Sequence, residues 1–72
     1  MTQFDAHLRT DGAMAIIDLA GTIDRDAEAA LDAAYSHVGQ ASSVVLDFAG
    51  VSYINSTGIA VIVGLLAKAR AN

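Results

Sequence analysis

The stretch Val44-Val45-Leu46-Asp47-Phe48-Ala49-Gly50-Val51-Ser52-Tyr53-Ile54-Asn55-Ser56-Thr57-Gly58 decides how the rest of the chain must fold. Ser43 to Phe48, with Val44, Val45 and Leu46, is a short continuous apolar run of the kind that fills a buried strand covered on both faces. A loop over 49–55 leads from it to a helix that starts near Asn55 or Ser56 and runs to about Arg70. In that helix Ile59, Ile62, Val63 and Leu66 form one stripe, with Val61 and Leu65 facing away from it. A helix apolar nearly all round is buried on more than one side, so further cover is expected for the Val61 and Leu65 face.

Working upstream, Gly39 terminates an earlier helix, along which Ala27, Ala30, Leu31, Ala34, Tyr35 and Val38 recur at the offsets of one face. Asp24 is placed to cap that helix, and Asp26 and Glu28 complement the positive end of its dipole. Before it, Ala13 to Ala20 carries Met14, Ile16, Ile17 and Leu19 and is closed by Gly21, which reads as a central strand. Phe4, Ala6 and Leu8 alternate with Asp5, His7 and Arg9 in a half-buried strand, and Asp11-Gly12 joins the two strands as a hairpin. The order is strand, hairpin, strand, helix, strand, helix. Its strand-helix-strand unit calls for a right-handed crossover with parallel strands. The loops 21–24 and 49–55 then lie side by side at the edge where open parallel sheets bind ligands and partners.

Composition excludes several classes of function. With 72 residues the chain is at most one domain, and one of this size buries only about 60% of its unfolded surface. Hydrophobic residues make up 54%, too many for a disordered segment. The net charge is −4 and the bases Arg9, Arg25, Lys68 and Arg70 are scattered, so no basic stripe addresses nucleic acid. There is no cysteine, which removes disulfides, thiolate zinc sites and thiol nucleophiles together. Met1-Thr2-Gln3-Phe4-Asp5 lacks the pattern of a signal peptide, and the longest apolar run, Ile59 to Ala67, is about half the roughly 20 residues of a membrane span. These readings place the chain in the cytoplasm without membrane insertion.

Enzyme motifs fail in turn. Ile54-Asn55-Ser56-Thr57-Gly58 lacks the glycine two places before the serine that a nucleophile elbow needs, and His7 and His37 read as surface residues. Neither a glycine-rich loop followed by lysine nor G-x-G-x-x-G opens a helix, and Asp24, Asp26 and Glu28 are spaced for a helix N-terminus rather than a calcium loop. No cofactor, no metal and no catalysis are expected. Asp47 reads as a partner for nearby loop amides. Ser56 is either a helix cap or an accessible acceptor for a phosphoryl group, and Asn55 can do the capping in its place. A phosphoryl group there adds about −1.5 to −2 charges beside Asp24 while the helix N-terminus tolerates it, which switches an interface without unfolding the domain.

The run from Val44 to Arg70 resembles the core motif of the STAS domain, the module shared by sulfate transporters and bacterial anti-sigma-factor antagonists. The family pattern is an apolar strand ending in Asp, a Gly-Val turn, and Asp-Ser-Ser/Thr-Gly opening an apolar helix; Asp47, Gly50, Val51, Ser56, Thr57 and Gly58 match it. Leu19-Ala20-Gly21-Thr22-Ile23-Asp24 is similar to the family's loop before its first helix, so the resemblance covers nearly the whole chain. It departs at Asn55, where the family usually has Asp, which keeps the capping geometry but removes a charge beside the acceptor.

The resemblance implies an α/β fold: a small mixed sheet with an N-terminal hairpin, a parallel strand-helix-strand unit and helices. Residues 1–72 are expected to form a single STAS-like domain, truncated at the C-terminus by the family's last strand and helix. It further implies a non-catalytic bacterial anti-sigma-factor antagonist that binds an anti-sigma factor acting also as a serine kinase. Ser56 is then the phosphorylation site, restored by a phosphatase, and Asp24, Asn55, Ser56, Thr57, Gly58 and Val61 are the partner-binding residues. The alternative is a non-phosphorylated accessory subunit of a lipid or anion transport assembly. A homo-oligomer formed through the uncovered sheet edge and the second helix is also expected.

Overall fold

The computed structural model describes residues 3–39 and 41–71, and the side chain of Ala71 is not among the described groups. The expected 1–72 domain therefore extends at both ends past the described residues. Five elements follow one another: β1 (Asp5–Asp11), β2 (Met14–Ile23), α1 (Ala27–Ser36), β3 (Ser43–Ile54) and α2 (Ser56–Ala71). They form a three-stranded sheet in the order β1-β2-β3 with β2 in the middle. β1 and β2 are antiparallel and β2 and β3 parallel, as the hairpin and the crossover demand.

Alternation in β1 sorts the two sides of the sheet. Phe4, Ala6 and Leu8 are half-buried and pack on the core, whereas Asp5, His7 and Arg9 are exposed. The core joins Ile17, Leu19 and Ile23 of β2 to Ala27 and Leu31 of α1 and to Ile62 and Leu65 of α2, so both helices lie on one face of the sheet. On the opposite face Arg9 meets Asp18 in an ion pair at 2.6 Å.

Four expectations are corrected. First, β2 does not stop at Gly21 but continues to Ile23. Gly21 sits inside the strand at φ +88°, a left-handed conformation that favours glycine, at an irregularity in the β2/β3 register. Second, most of the 49–55 loop is strand, because β3 runs unbroken to Ile54 and two register shifts against β2 absorb its extra residues. Third, β3 is an edge strand covered on one face only, with Val45 40% and Tyr53 59% exposed.

The fourth concerns α2. Gly58, Ile62 and Leu65 are buried and Val61 is half-buried against the core, while Ile59, Val63 and Leu66 are about half exposed. Three of the four residues of the sequence-assigned stripe, Ile59, Val63 and Leu66, therefore face out and only Ile62 faces the core. The helix rotates to this setting because Gly58 lets it approach the β2 backbone at its first turn, as the site geometry shows.

Candidate functional site

The parallel ends of β2 and β3 stand side by side, with Ile23 in register with Ile54 and the Asn55 amide donating to the Ile23 carbonyl at 3.3 Å. The segments that follow them meet in a shallow depression of about 310 Å³ lined by Asp24, Arg25, Asp26, Asn55 and Thr57. This is the juxtaposition the crossover requires, reached with one connecting residue, Asn55, rather than a seven-residue loop.

On the β2 side, Asp24 holds the turn before α1 rather than the helix itself. Its side-chain Oδ1 accepts from the Asp26 amide at 2.9 Å and its carbonyl accepts from the Ala27 amide at 3.1 Å. Asp26 is the residue at the N-cap and makes no side-chain cap bond. Asp24 is thereby fixed and half-buried at the rim, with Asp26 exposed beside it.

On the β3 side, Asn55 is the N-cap of α2. Its Oδ1 accepts from the Gly58 amide at 2.8 Å, and its carbonyl accepts the first intrahelical bond, from the Ile59 amide, at 2.9 Å. Ser56 and Thr57 follow as the first two helical residues and are both exposed. The Ser56 hydroxyl has no hydrogen-bond partner among the described residues, because the capping that serine would otherwise perform is done by Asn55. The amides of Ser56 and Thr57 lack intrahelical partners and point the positive end of the dipole toward this rim.

The other expected contact residues take supporting positions. Gly58 is buried, and a Cβ there would run into the Ile23 carbonyl and come within 3.0 Å of Ile54 Cγ1, so this glycine sets how closely α2 meets the strand ends. Val61 packs on the core behind the site. Asp47 serves its own strand, accepting from the Ala49 amide at 2.9 Å where β3 departs from register. Arg25 lines the depression and was not singled out in the sequence; as the residue after Asp24, it is carried there by the turn that Asp24 holds.

Charge at the rim is carried by Asp24 and Asp26 against Arg25. The perturbed ionisations lie elsewhere, on the outer sheet face: the hydrogen bond from Arg9 holds the Asp18 carboxyl below its ordinary value and, reciprocally, raises Arg9. Among the described residues no group of three or more His, Cys, Asp and Glu side chains is arranged to hold a metal ion, and no helix is long and apolar enough to cross a membrane.

Fold and site together define a mixed-sheet α/β domain whose parallel strand ends present a helix N-terminus with a free hydroxyl. The chain belongs to the STAS domain family: the family model described as "Mlab, STAS domain" matches residues 6–72. Its fold is that of the anti-sigma factor antagonist SpoIIAA in its unphosphorylated form, with a TM-score of 0.66 and 21% identity over 96% of this chain. The chain spans 64% of the SpoIIAA chain it matches. Among curated proteins none matches it.

Proposed function

We propose that this STAS domain is a non-catalytic anti-sigma-factor antagonist, a cytoplasmic bacterial partner-switching protein regulated by phosphorylation at Ser56. Its partner is an anti-sigma factor that is also a serine kinase; unmodified chain sequesters that factor, the kinase ends the complex by phosphorylating Ser56, and a phosphatase restores it. Asp24, Asn55, Ser56 and Thr57 form the contact surface, with Gly58 and Val61 supporting it from behind. The observation that carries this reading is the division of labour at the start of α2: Asn55 caps the helix at 2.8 Å from the Gly58 amide, and the neighbouring hydroxyl is exposed with no hydrogen-bond partner among the described residues.

The physics of the switch follows from that placement. A phosphoserine adds about −1.5 to −2 charges and three acceptor oxygens, which the unpartnered amides and the helix dipole accept without loss of fold. A partner docked across the depression instead meets a doubly charged, hydrated group beside Asp24 and Asp26. Among the described residues neither histidine faces Ser56: His7 lies on β1, and His37 follows α1 with its Nδ1 within 2.8 Å of the Ala33 carbonyl. In phosphoryl transfer the kinase supplies the base: it takes the Ser56 proton as the hydroxyl oxygen attacks the γ-phosphorus of ATP and ADP leaves.

The test is phosphoryl transfer followed by mass spectrometry of the intact chain. With ATP and a serine kinase that binds the chain, one phosphoryl group is gained, the gain is lost in Ser56→Ala, and the complex dissociates. A kinase that binds yet leaves the chain unmodified rejects the switch.

A second reading, a non-phosphorylated accessory subunit of a lipid or anion transport assembly, is favoured by Asn55, which removes the charge the family usually carries beside the acceptor. Co-purification with a transport ATPase instead of a kinase selects it.

A further inference from the structure

Of the 4 lysine and arginine side chains, three are committed or remote from the start of α2. Arg9 pairs with Asp18 on the outer sheet face, and Lys68 pairs with Asp32 of α1. Arg70 sits in the last turn of α2, about 20 Å along the helix axis from Ser56 at 1.5 Å per residue. The fourth is Arg25. It is exposed, it lines the depression where β2 and β3 end, and its guanidinium has no hydrogen bond or ion pair among the described residues.

The backbone that carries Arg25 is fixed while the side chain is not. Its carbonyl accepts from the Glu28 amide at 3.2 Å, and the turn it lies in is held by the bond from the Asp26 amide to Asp24 Oδ1 at 2.9 Å. Across the depression stand Asn55 and Thr57, the residues on either side of Ser56. The Asn55 amide ties that segment to the Ile23 carbonyl at 3.3 Å, two residues before Arg25. An uncommitted guanidinium on a rigid turn thus stands across the depression from the segment that bears the exposed hydroxyl.

We infer that Arg25 is the intramolecular receptor of a phosphoryl group on Ser56, and that the pair closes over the depression and clasps the turn before α1 to the first turn of α2. This role rests on Ser56 being the phosphorylated residue, and it adds what the modification does inside the domain. A phosphoserine carries about −1.5 to −2 charges and three acceptor oxygens, and arginine binds such a group through two parallel N–H···O bonds. The neighbouring carboxylates offer less, since Asp24 already spends one oxygen on the Asp26 amide. The planar fork of the guanidinium makes the contact directional, which a lysine in its place does not reproduce. One positive charge cancels only part of the added negative charge. The rim therefore still becomes more acidic and repels a docked partner, which in addition finds the depression occupied.

The test needs no kinase: the full 72-residue chain is made by chemical synthesis with phosphoserine at position 56. Phosphorus NMR follows the second ionisation of that group, which falls at about pH 6 in the absence of partners. In the wild-type background the ionisation is expected at a pH lower by about half a unit or more than in Arg25→Gln, with Arg25→Lys between them. Asp24 and Asp26 face the group from the same depression in every variant and so drop out of the difference, and neither histidine lines it. Arg70→Gln removes the same charge at the far end of α2 and is expected to keep the wild-type value. Because Arg25 is exposed, circular dichroism is expected to stay native throughout. Equal ionisation in wild type and Arg25→Gln overturns the clasp. An equal displacement in Arg25→Gln and Arg70→Gln overturns it too, since it reports the charge of the whole molecule and not a pair. Either result leaves the switch standing, which fails separately when a kinase that binds the chain does not modify Ser56.

Discussion

The side-chain oxygen of Asn55 accepts the backbone N–H of Gly58 at 2.8 Å, and this bond determines what Ser56 is free to do. Removing it in Asn55→Ala leaves an orphan amide at a partly buried helix start, and a loss of about 1 kcal/mol is expected in urea denaturation with an unchanged m-value. Asn55→Asp restores the family's residue. It keeps the acceptor and adds a charge at the positive end of the dipole, so its stability is expected to equal or exceed wild type by a few tenths to about 1 kcal/mol.

Ser56 is expected to be dispensable for stability. Its hydroxyl has no partner among the described residues, so Ser56→Ala changes unfolding free energy by no more than about 0.5 kcal/mol. Ser56→Asp is equally tolerated, since an acidic side chain suits the first turn of a helix. A cost above about 1 kcal/mol for Ser56→Ala in the same denaturation experiment shows that the serine, not Asn55, carries the cap.

The neighbouring leucines of α2 separate packing from exposure. Leu65 is 4% exposed in the core and Leu66 is 48% exposed on the outer flank. Leu65→Ala is therefore expected to cost about 2–5 kcal/mol, and Leu66→Ala well under half as much. Thermal unfolding at low concentration, where association does not contribute, measures the difference.

These two residues also show where the sequence stops being legible. Element order, the hairpin, the parallel crossover and the meeting of the β2 and β3 ends all follow from local patterns, because turns and alternation are set by near neighbours; the same patterns leave the cap of α2 open between Asn55 and Ser56, and the bond to the Gly58 amide assigns it to Asn55. The rotation of α2 is not local. On a helix apolar nearly all round, periodicity alone does not choose between Leu65 and Leu66, and the choice is made by contact with the Ile23 carbonyl at Gly58. The length of β3 was hidden for a related reason: the apolar run ends at Phe48 and Gly50-Val51 reads as a turn in a loop over 49–55, yet register shifts against β2 keep the chain in the strand to Ile54.

Acid sensitivity of the sheet is expected to come partly from Asp18. The hydrogen bond from Arg9 lowers its folded-state pKa. A lowered carboxyl contributes stability that is present above its unfolded value, about 3.9, and is lost as pH falls through the folded value. The stability difference between wild type and Asp18→Asn is therefore constant above about pH 5 and shrinks below pH 4. Both side chains face solvent, so the effect is small and 1 M salt reduces it further. A difference that grows on acidification contradicts the assignment.

Two glycines of α2 are expected to respond to alanine with opposite signs. Nothing lies within 4 Å of a Cβ built at Gly64, which sits exposed in mid-helix, so Gly64→Ala removes chain entropy from the unfolded state and gains about 0.5–1 kcal/mol. At Gly58 the same methyl group collides with the Ile23 carbonyl and presses on Ile54 Cγ1 at 3.0 Å, both part of the strand ends that build the site. Backbone does not move aside as a flexible side chain does. Gly58→Ala is therefore expected to cost about 1–3 kcal/mol and to push the first turn of α2, with Ser56 and Thr57, away from Asp24. Amide chemical shifts of residues 23–26 and 54–58 report that displacement directly: they change in Gly58→Ala and stay unperturbed in Gly64→Ala. If both variants gain stability alike, α2 does not rest on the β2 backbone, and neither the rotation of the helix nor the exposure of Ser56 follows from Gly58.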